Sequence, residues 1–164
     1  MSQQLIAKPL TKDGFRAYGE VLETTGSNNY HINNRNCVRH HDLSRVEVIG
    51  EEAQVCINIF SAQPYALPLT LTMVERHPLG SQAFYPLGSQ QWLVIVCEDD
   101  DGQPVRPNIF LASPNQGINL HRGVWHGVLT PLYEQSQFLV IDRVGKGENL
   151  IEHHFEIPFV IDLQ

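Results

Sequence analysis

Cysteine is scarce: Cys37, Cys56 and Cys97 are odd in number, far apart and without CxxC spacing, which argues against a disulfide framework and against a zinc ribbon. A reducing cytoplasm is the simplest setting. Positive charge is also short, with 11 Lys and Arg against 18 Asp and Glu for a formal net charge of −7, so the basic face needed to bind a phosphate backbone is missing and nucleic acid is not an expected partner. Long apolar runs are absent too. The longest, Leu93 to Cys97, is far too short to span a bilayer, and the start of the chain, MSQQLIAKPLTKDGF, lacks the apolar stretch of a signal peptide. No Gly-rich phosphate loop follows a strand, so NAD, a nucleotide or a flavin is not expected.

What remains is a chain of 164 residues, 42% hydrophobic and 18% charged, a length that suits one domain over 1–164 with a core large enough to need no staples. Ten prolines and twelve glycines interrupt it throughout, leaving little room for helices and favouring many short strands. The exception is Thr11 to Tyr18, where Thr11 can cap a short helix carrying Phe15 and Tyr18 before Gly19 ends it. Strands are expected at Val46–Ile49, Gln54–Ser61, Leu69–Arg76, Gln82–Pro86, Gln91–Val96, Asn108–Ala112, Gly117–Leu120, Gly127–Leu129 and Gln137–Arg143, with Phe155–Ile161 as a closing strand or turn. In Gln54–Ser61, alternation puts Val55, Ile57 and Ile59 on one face and Cys56, Asn58 and Phe60 on the other. Trp92–Val96 does not alternate and is expected between two buried layers. Glu98–Gln103, with its Asp-Gly pair, reads as a solvated turn. This pattern predicts an all-β sandwich or small jelly-roll barrel.

The eight histidines are grouped. His31, His40 and His41 fall in HINNRNCVRHHD, His77 in ERHPLGSQAF, and His121 and His126 in GINLHRGVWHGV. His153 and His154 read as ordinary surface or packed rings. The stretch HINNRNCVRHHD is too polar for a core, so His31, Asn33, Arg39, His41 and Asp42 form either a solvated loop or one that serves a site, by covering the mouth of the barrel or by reaching a neighbouring copy.

The pattern Glu75-x-His77-x4-Gln82-x5-Gly88, followed by Gly117-x5-Gly123-x2-His126, resembles the two signature motifs of the cupin superfamily. That resemblance implies a cupin-like jelly-roll β-barrel with short peripheral helices. It places Glu75, His77, Gln82 and His126 inward as a ligand set if a metal is bound. Glu75 stands where cupins carry a first histidine and Gln82 where they carry a carboxylate, and Gln is a weak neutral ligand. No cofactor is required by this reading, and a divalent metal such as nickel is the group the motif leaves room for.

A closer resemblance covers nearly the whole chain. The segments FRAYGEV, HINN, RHHDL, AQP, LPLTLTMVERHPLGSQAF, QGINLHRGVWH and VIDR resemble the ureidoglycolate lyase family. The resemblance implies a homodimeric enzyme of allantoin catabolism that cleaves ureidoglycolate to glyoxylate and urea. That reaction takes a proton from the substrate hydroxyl, forms the aldehyde carbonyl and delivers a proton to the departing urea nitrogen, so one base and one acid suffice. His77 and His126 are the candidates, in either order, with Glu75 orienting one of them or acting itself if burial raises its pKa. Gln82 is expected to read the ureido group or the carboxylate, and Arg122 and Arg76 compete to clamp the carboxylate, although alternation turns Arg76 away from Glu75 and His77. Trp125 reads as a packing ring. The alternative enzyme class is a metal-dependent cupin oxygenase or isomerase acting on a small hydroxy acid. A non-catalytic sensor on the same barrel lacks the DNA-binding helix pair it would need.

Overall fold

A computed structural model describes residues 3–163. The first third contains β1 (Gln3–Ile6), β2 (Lys8–Pro9), α1 (Lys12–Phe15), β3 (Gly19–Leu22), β4 (Asn29–Ile32), β5 (Cys37–His40) and β6 (Gln54–Ala62). There follow β7 (Leu69–Arg76), β8 (Gln82–Pro86), β9 (Trp92–Asp100), β10 (Gln103–Ala112) and β11 (Gly117–Leu120). Last come β12 (Trp125–His126), β13 (Thr130–Pro131), β14 (Ser136–Val144) and β15 (Ile151–Asp162). One sheet runs β1-β15-β7-β12-β9-β10-β2, with β13 also on β9; the other runs β3-β11-β8-β14-β6; β4 and β5 pair by themselves as a two-stranded arm. The larger sheet curls until β1 approaches β10. The fold is thus all-β and cupin-like, a nearly closed barrel-like sheet faced by a second sheet.

The central strand β9 explains the two layers. Trp92, Val94 and Val96 pack with Phe84, Phe110, Ile118, Phe138 and Val140 between the sheets. Leu93, Ile95 and Cys97 point the other way, into a second cluster with Leu71, Val74, Trp125 and Ile161. The unbroken apolar run therefore marks a strand buried on both faces, as its sequence indicates. β9 and β10 run closer to their turn than the sequence suggests. Asp101 and Gly102, both at positive φ (51° and 81°), make the two-residue reversal typical of Asp-Gly hairpins.

Three expected elements come out differently. The helix stops at Phe15 although Thr11 caps it, its Oγ1 accepting from Gly14 N at 3.1 Å. The chain must extend at once into β3, where Gly19 lies so close to β11 that a Cβ there would sit 2.0 Å from the Asn119 carbonyl oxygen. Val46–Ile49 is not a strand. It makes one bridge, Val48 to Gly80, and is held mainly through Ser81, whose N donates to Glu47 O and whose Oγ accepts from Glu47 N, both at 2.8 Å. Gly127–Leu129 is a gap between two short strands, β12 and β13, both on β9. Gly127 sits against Ile95, with room for no Cβ closer than 2.9 Å to the Ile95 Cβ.

On β6 the structure decides which face is inward. Phe60 packs on Phe84 in an edge-on arrangement, and Cys56 and Asn58 point inward with it. Val55, Ile57 and Ile59 face outward, 50%, 71% and 54% exposed.

Candidate active site

β7 and β12 lie side by side, and their register sets His126 directly opposite Glu75. Alternation on β12 separates Trp125, in the outer cluster, from His126, which is 4% exposed between the sheets. Just beyond β7, the His77 carbonyl accepts from Gly123 N at 2.9 Å, fastening the turn after β11 to the end of β7. The two imidazoles end 5.2 Å apart, centroid to centroid, and His77 Nε2 lies 3.8 Å from Glu75 Oε1. One ligand atom from each of Glu75, His77 and His126 lies within 4.8 Å of the others.

Backbone carbonyls fix the protons on both rings. His77 Nδ1 is 2.7 Å from Asn149 O and His126 Nδ1 is 2.9 Å from Gly127 O. A carbonyl only accepts, so each Nδ1 carries the hydrogen and each Nε2 of the neutral ring presents a lone pair. Both Nε2 atoms are buried and have no hydrogen-bond partner among the described residues. Burial pushes the His126 imidazole down to about 4, against a smaller rise from its bond to the Gly127 carbonyl, so this ring is uncharged at neutral pH. Burial raises the Glu75 carboxyl above its ordinary range; nearby His77 opposes that rise, and Glu152, its cross-strand partner on β15, adds to it. Two imidazole lone pairs and a carboxylate, with the far side of each ring pinned by a carbonyl, suit a divalent transition metal as well as they suit proton transfer.

Gln82 enters from the opposite sheet. It shares the inward face of β8 with Phe84, and Phe84, Leu120 and His126 line one small interior void. Gln82 is 7% exposed. Its Nε2 donates to Asp142 Oδ2 on β14 at 3.3 Å, while its Oε1 is buried with no partner among the described residues. Asp142 Oδ1 accepts from Asn58 Nδ2 at 3.0 Å and from the Cys56 thiol at 2.8 Å. The contact with the Asp142 carboxylate is the main cause holding the Cys56 thiol above its ordinary pKa. Asp142, Asn58 and Cys56 are absent from the sequence-derived candidates. The alternation of β6 was a usable signal, since it already grouped Cys56 with Asn58.

The other candidates lie elsewhere within the chain. His31, Asn33 and Arg39 belong to the exposed β4–β5 arm, whose turn holds Asn33, Asn34 and Arg35 at positive φ. His41 and Asp42 follow it and line a cleft of about 420 Å³ together with Lys12, Arg16, Glu20 and His121. Asp42 is engaged by Arg45 through two hydrogen bonds of 2.6 and 2.7 Å. Residues 42–46 lie over Ala83, Tyr85, Leu139 and Ile141, the outer side of the sheet whose inner side carries Gln82 and Asp142. Arg122 is nearer to the imidazoles: it donates to Pro78 O, beside His77, at 3.1 Å and to Glu47 Oε1 at 3.0 Å. Arg76 points to the far face as alternation requires, stacked over Trp125 at 4.4 Å and bonded to Asp99 at 2.9 Å. Trp125 itself is a packing ring, its Nε1 donating to Asp99.

Comparison with known proteins agrees with this architecture. The sequence profile described as Ureidoglycolate lyase matches residues 2–162. The chain is 53% identical over 161 residues to a protein of Chelativorans sp. named ureidoglycolate lyase, covering 98% of each chain. It is 50% identical to a ureidoglycolate lyase of Agrobacterium fabrum, covering 98% of this chain and 97% of that one. It is 48% identical to ureidoglycolate lyase 2 of Rhizobium meliloti, over 94% and 95% of the two chains. With the profile spanning nearly its whole length and relatives at this identity, the chain belongs to the ureidoglycolate lyase family.

Proposed function

We propose that this protein is a carbon–nitrogen lyase that cleaves ureidoglycolate to glyoxylate and urea, with the whole chain acting as one catalytic domain. The observation that carries the chemistry is the convergence of two unpartnered imidazole Nε2 atoms and the Glu75 carboxyl within 4.8 Å, in a family whose relatives are named for this activity. His77 Nε2 takes the substrate hydroxyl proton. The carbon–nitrogen bond breaks as the aldehyde carbonyl forms, and Glu75, whose burial favours the protonated carboxyl, gives its proton to the leaving urea nitrogen. Transfer from His77 back to Glu75, 3.8 Å away, resets the pair. His126, neutral and acceptor-only at Nε2, accepts an N–H of the substrate's ureido group, since the single hydroxyl proton goes to His77. Arg122, beside the His77 turn, is the clamp for the substrate carboxylate.

Glu75, His77 and His126 are also the residues that would hold a divalent metal such as nickel, with Gln82 as a further oxygen ligand. When bound, such an ion supplies Lewis-acid polarisation of substrate oxygens. The same lone pairs serve as ligands or as proton acceptors, and elemental analysis of protein purified without added metal separates the two uses.

We further read the active form as a homodimer. The outward Val55, Ile57 and Ile59 row on β6 is an exposed apolar strip of the kind that marks an interface. The β4–β5 arm, with His31, Asn33, Arg39, His41 and Asp42, would then serve the neighbouring copy's site. The substrate places the reaction in allantoin catabolism, and the three free thiols suit the cytoplasm; among the described residues no helix is long and apolar enough to cross a membrane. The test is incubation with ureidoglycolate, measuring urea and ammonia separately. Urea with glyoxylate is the expected result; ammonia release in place of urea, or no turnover with and without divalent metal, would overturn the reading.

A further inference from the structure

The Gln82 amide could present either of its ends to a ligand, and the structure chooses between them. Its neighbour Asp142 is a carboxylate, which accepts and does not donate, so the amide nitrogen must face it and the carbonyl oxygen must face the other way. The observed contacts agree: Nε2 donates to Asp142 Oδ2 at 3.3 Å, and Oε1 is left buried without a partner among the described residues. An oxygen in that position is a hydrogen-bond acceptor for N–H groups and would repel a carboxylate. Asp142 is itself held by two donors at its other oxygen, Asn58 Nδ2 at 3.0 Å and Cys56 Sγ at 2.8 Å. The orientation of Gln82 is thus imposed from β6 and β14, outside the Glu75, His77 and His126 cluster.

We propose that Asp142 is a specificity-determining positioning residue, fixing Gln82 so that its carbonyl oxygen accepts the N–H groups of a ureido substrate. This rests on the lyase reading and deepens it. The substrate carboxylate then belongs at the other side of the site, and Gln82 discriminates for a urea-like leaving group against one with no N–H to donate. Burial makes the discrimination strong, because an unpartnered polar group inside a protein costs more than the same group in water.

The substitution Asp142→Asn reverses the arrangement. Cys56 and Asn58, both donors, hold the carbonyl of the introduced asparagine toward themselves, so its NH₂ meets Gln82 and turns the Gln82 amide over, presenting N–H to the site. The double variant Gln82→Glu/Asp142→Asn keeps the net charge, lets the asparagine donate to the new carboxylate and again leaves an oxygen facing the site. Steady-state kinetics with ureidoglycolate, and inhibition by urea and by glyoxylate separately, read the outcome. For Asp142→Asn the expected result is KM and the urea inhibition constant each raised about tenfold, kcat kept within about threefold, and glyoxylate inhibition unchanged; the double variant should recover most of the loss. Unchanged urea inhibition, a loss confined to glyoxylate, or a fall in bound metal without a change in urea inhibition would each overturn the role of Asp142. If Asp142→Asn does not fold, the double variant alone decides: failure of urea to inhibit it while glyoxylate still does sinks the proposal. Absence of urea release by the unaltered protein sinks the lyase reading itself, a separate result from normal turnover with an unaffected variant.

Discussion

His126 and Glu75 are direct antiparallel partners across β12 and β7, and burial moves them in opposite directions, the imidazole down to about 4 and the carboxyl upward. Each shift favours the uncharged form, so the pair enters the interior at low electrostatic cost. A neutral acceptor thus stands beside a carboxyl whose affinity for a proton is raised by burial.

His77→Ala should lower turnover by more than about tenfold, since a general base contributes on the order of a hundredfold or more, and His126→Ala should also lower it by more than about tenfold, through lost positioning of the substrate beside His77. His154→Ala is the control, because that ring is exposed on β15. Circular dichroism on each variant checks the fold. Activity in either histidine variant equal to the control would remove that residue from the mechanism.

Stability should depend on His126 between about pH 4 and 6.5. The folded ring titrates near 4 and the unfolded one near 6.5, so between those values the unfolded chain binds the extra proton and stability rises with pH. The contribution is full above about 6.5, and its loss by pH 4 is on the order of 3 kcal/mol. Urea melts of chelator-treated protein across this window should show a steep acid limb for the native chain and a shallower one for His126→Gln. Equal slopes would contradict the burial assignment.

Gly127→Ala should both destabilise the protein and impair it. A Cβ there would lie 2.9 Å from the Ile95 Cβ, and overpacking of this kind costs about 1–3 kcal/mol. Relief of the clash shifts the carbonyl that fixes the proton on His126. Thermal melts and kcat on the same preparation check both halves; an unchanged midpoint would mean that β9 yields more easily than its packing suggests.

On the proposed homodimer, Ile57→Lys should leave a monomer. Ile57 is 71% exposed at the centre of the outward row on β6, where a charge costs the folded monomer little and an apolar interface a great deal. Light scattering at micromolar concentration decides, and a dimeric variant would move the interface to another face.

The strands were legible where their local signals were unambiguous. Leu69–Arg76, Gln82–Pro86 and Gly117–Leu120 have the bounds expected of them, because turn residues bracket each one. Val46–Ile49 has the same composition and is not a strand, since pairing needs a neighbour and Ser81 and Leu79 hold that segment instead. The short strands around Gly127 were equally hidden, as their pairing is dictated by β9.

The sequence by itself determined that this chain is an all-β protein and, through the resemblance of the segments carrying Glu75, His77 and His126 to known family motifs, which residues to watch. Tertiary structure decided what those residues can do. Period-two alternation divides β6 into two faces but cannot say which is inward, and here the apolar row of Val55, Ile57 and Ile59 is turned out while Cys56 and Asn58 support Asp142 from within. Nor can spacing say which ring nitrogen carries a proton or which end of an amide faces a ligand. Those are set by Asn149 O, Gly127 O and Asp142, groups from other strands and turns that only the folded chain brings within hydrogen-bonding distance, and a hydrogen bond is decided by contact in space, whatever the separation along the chain.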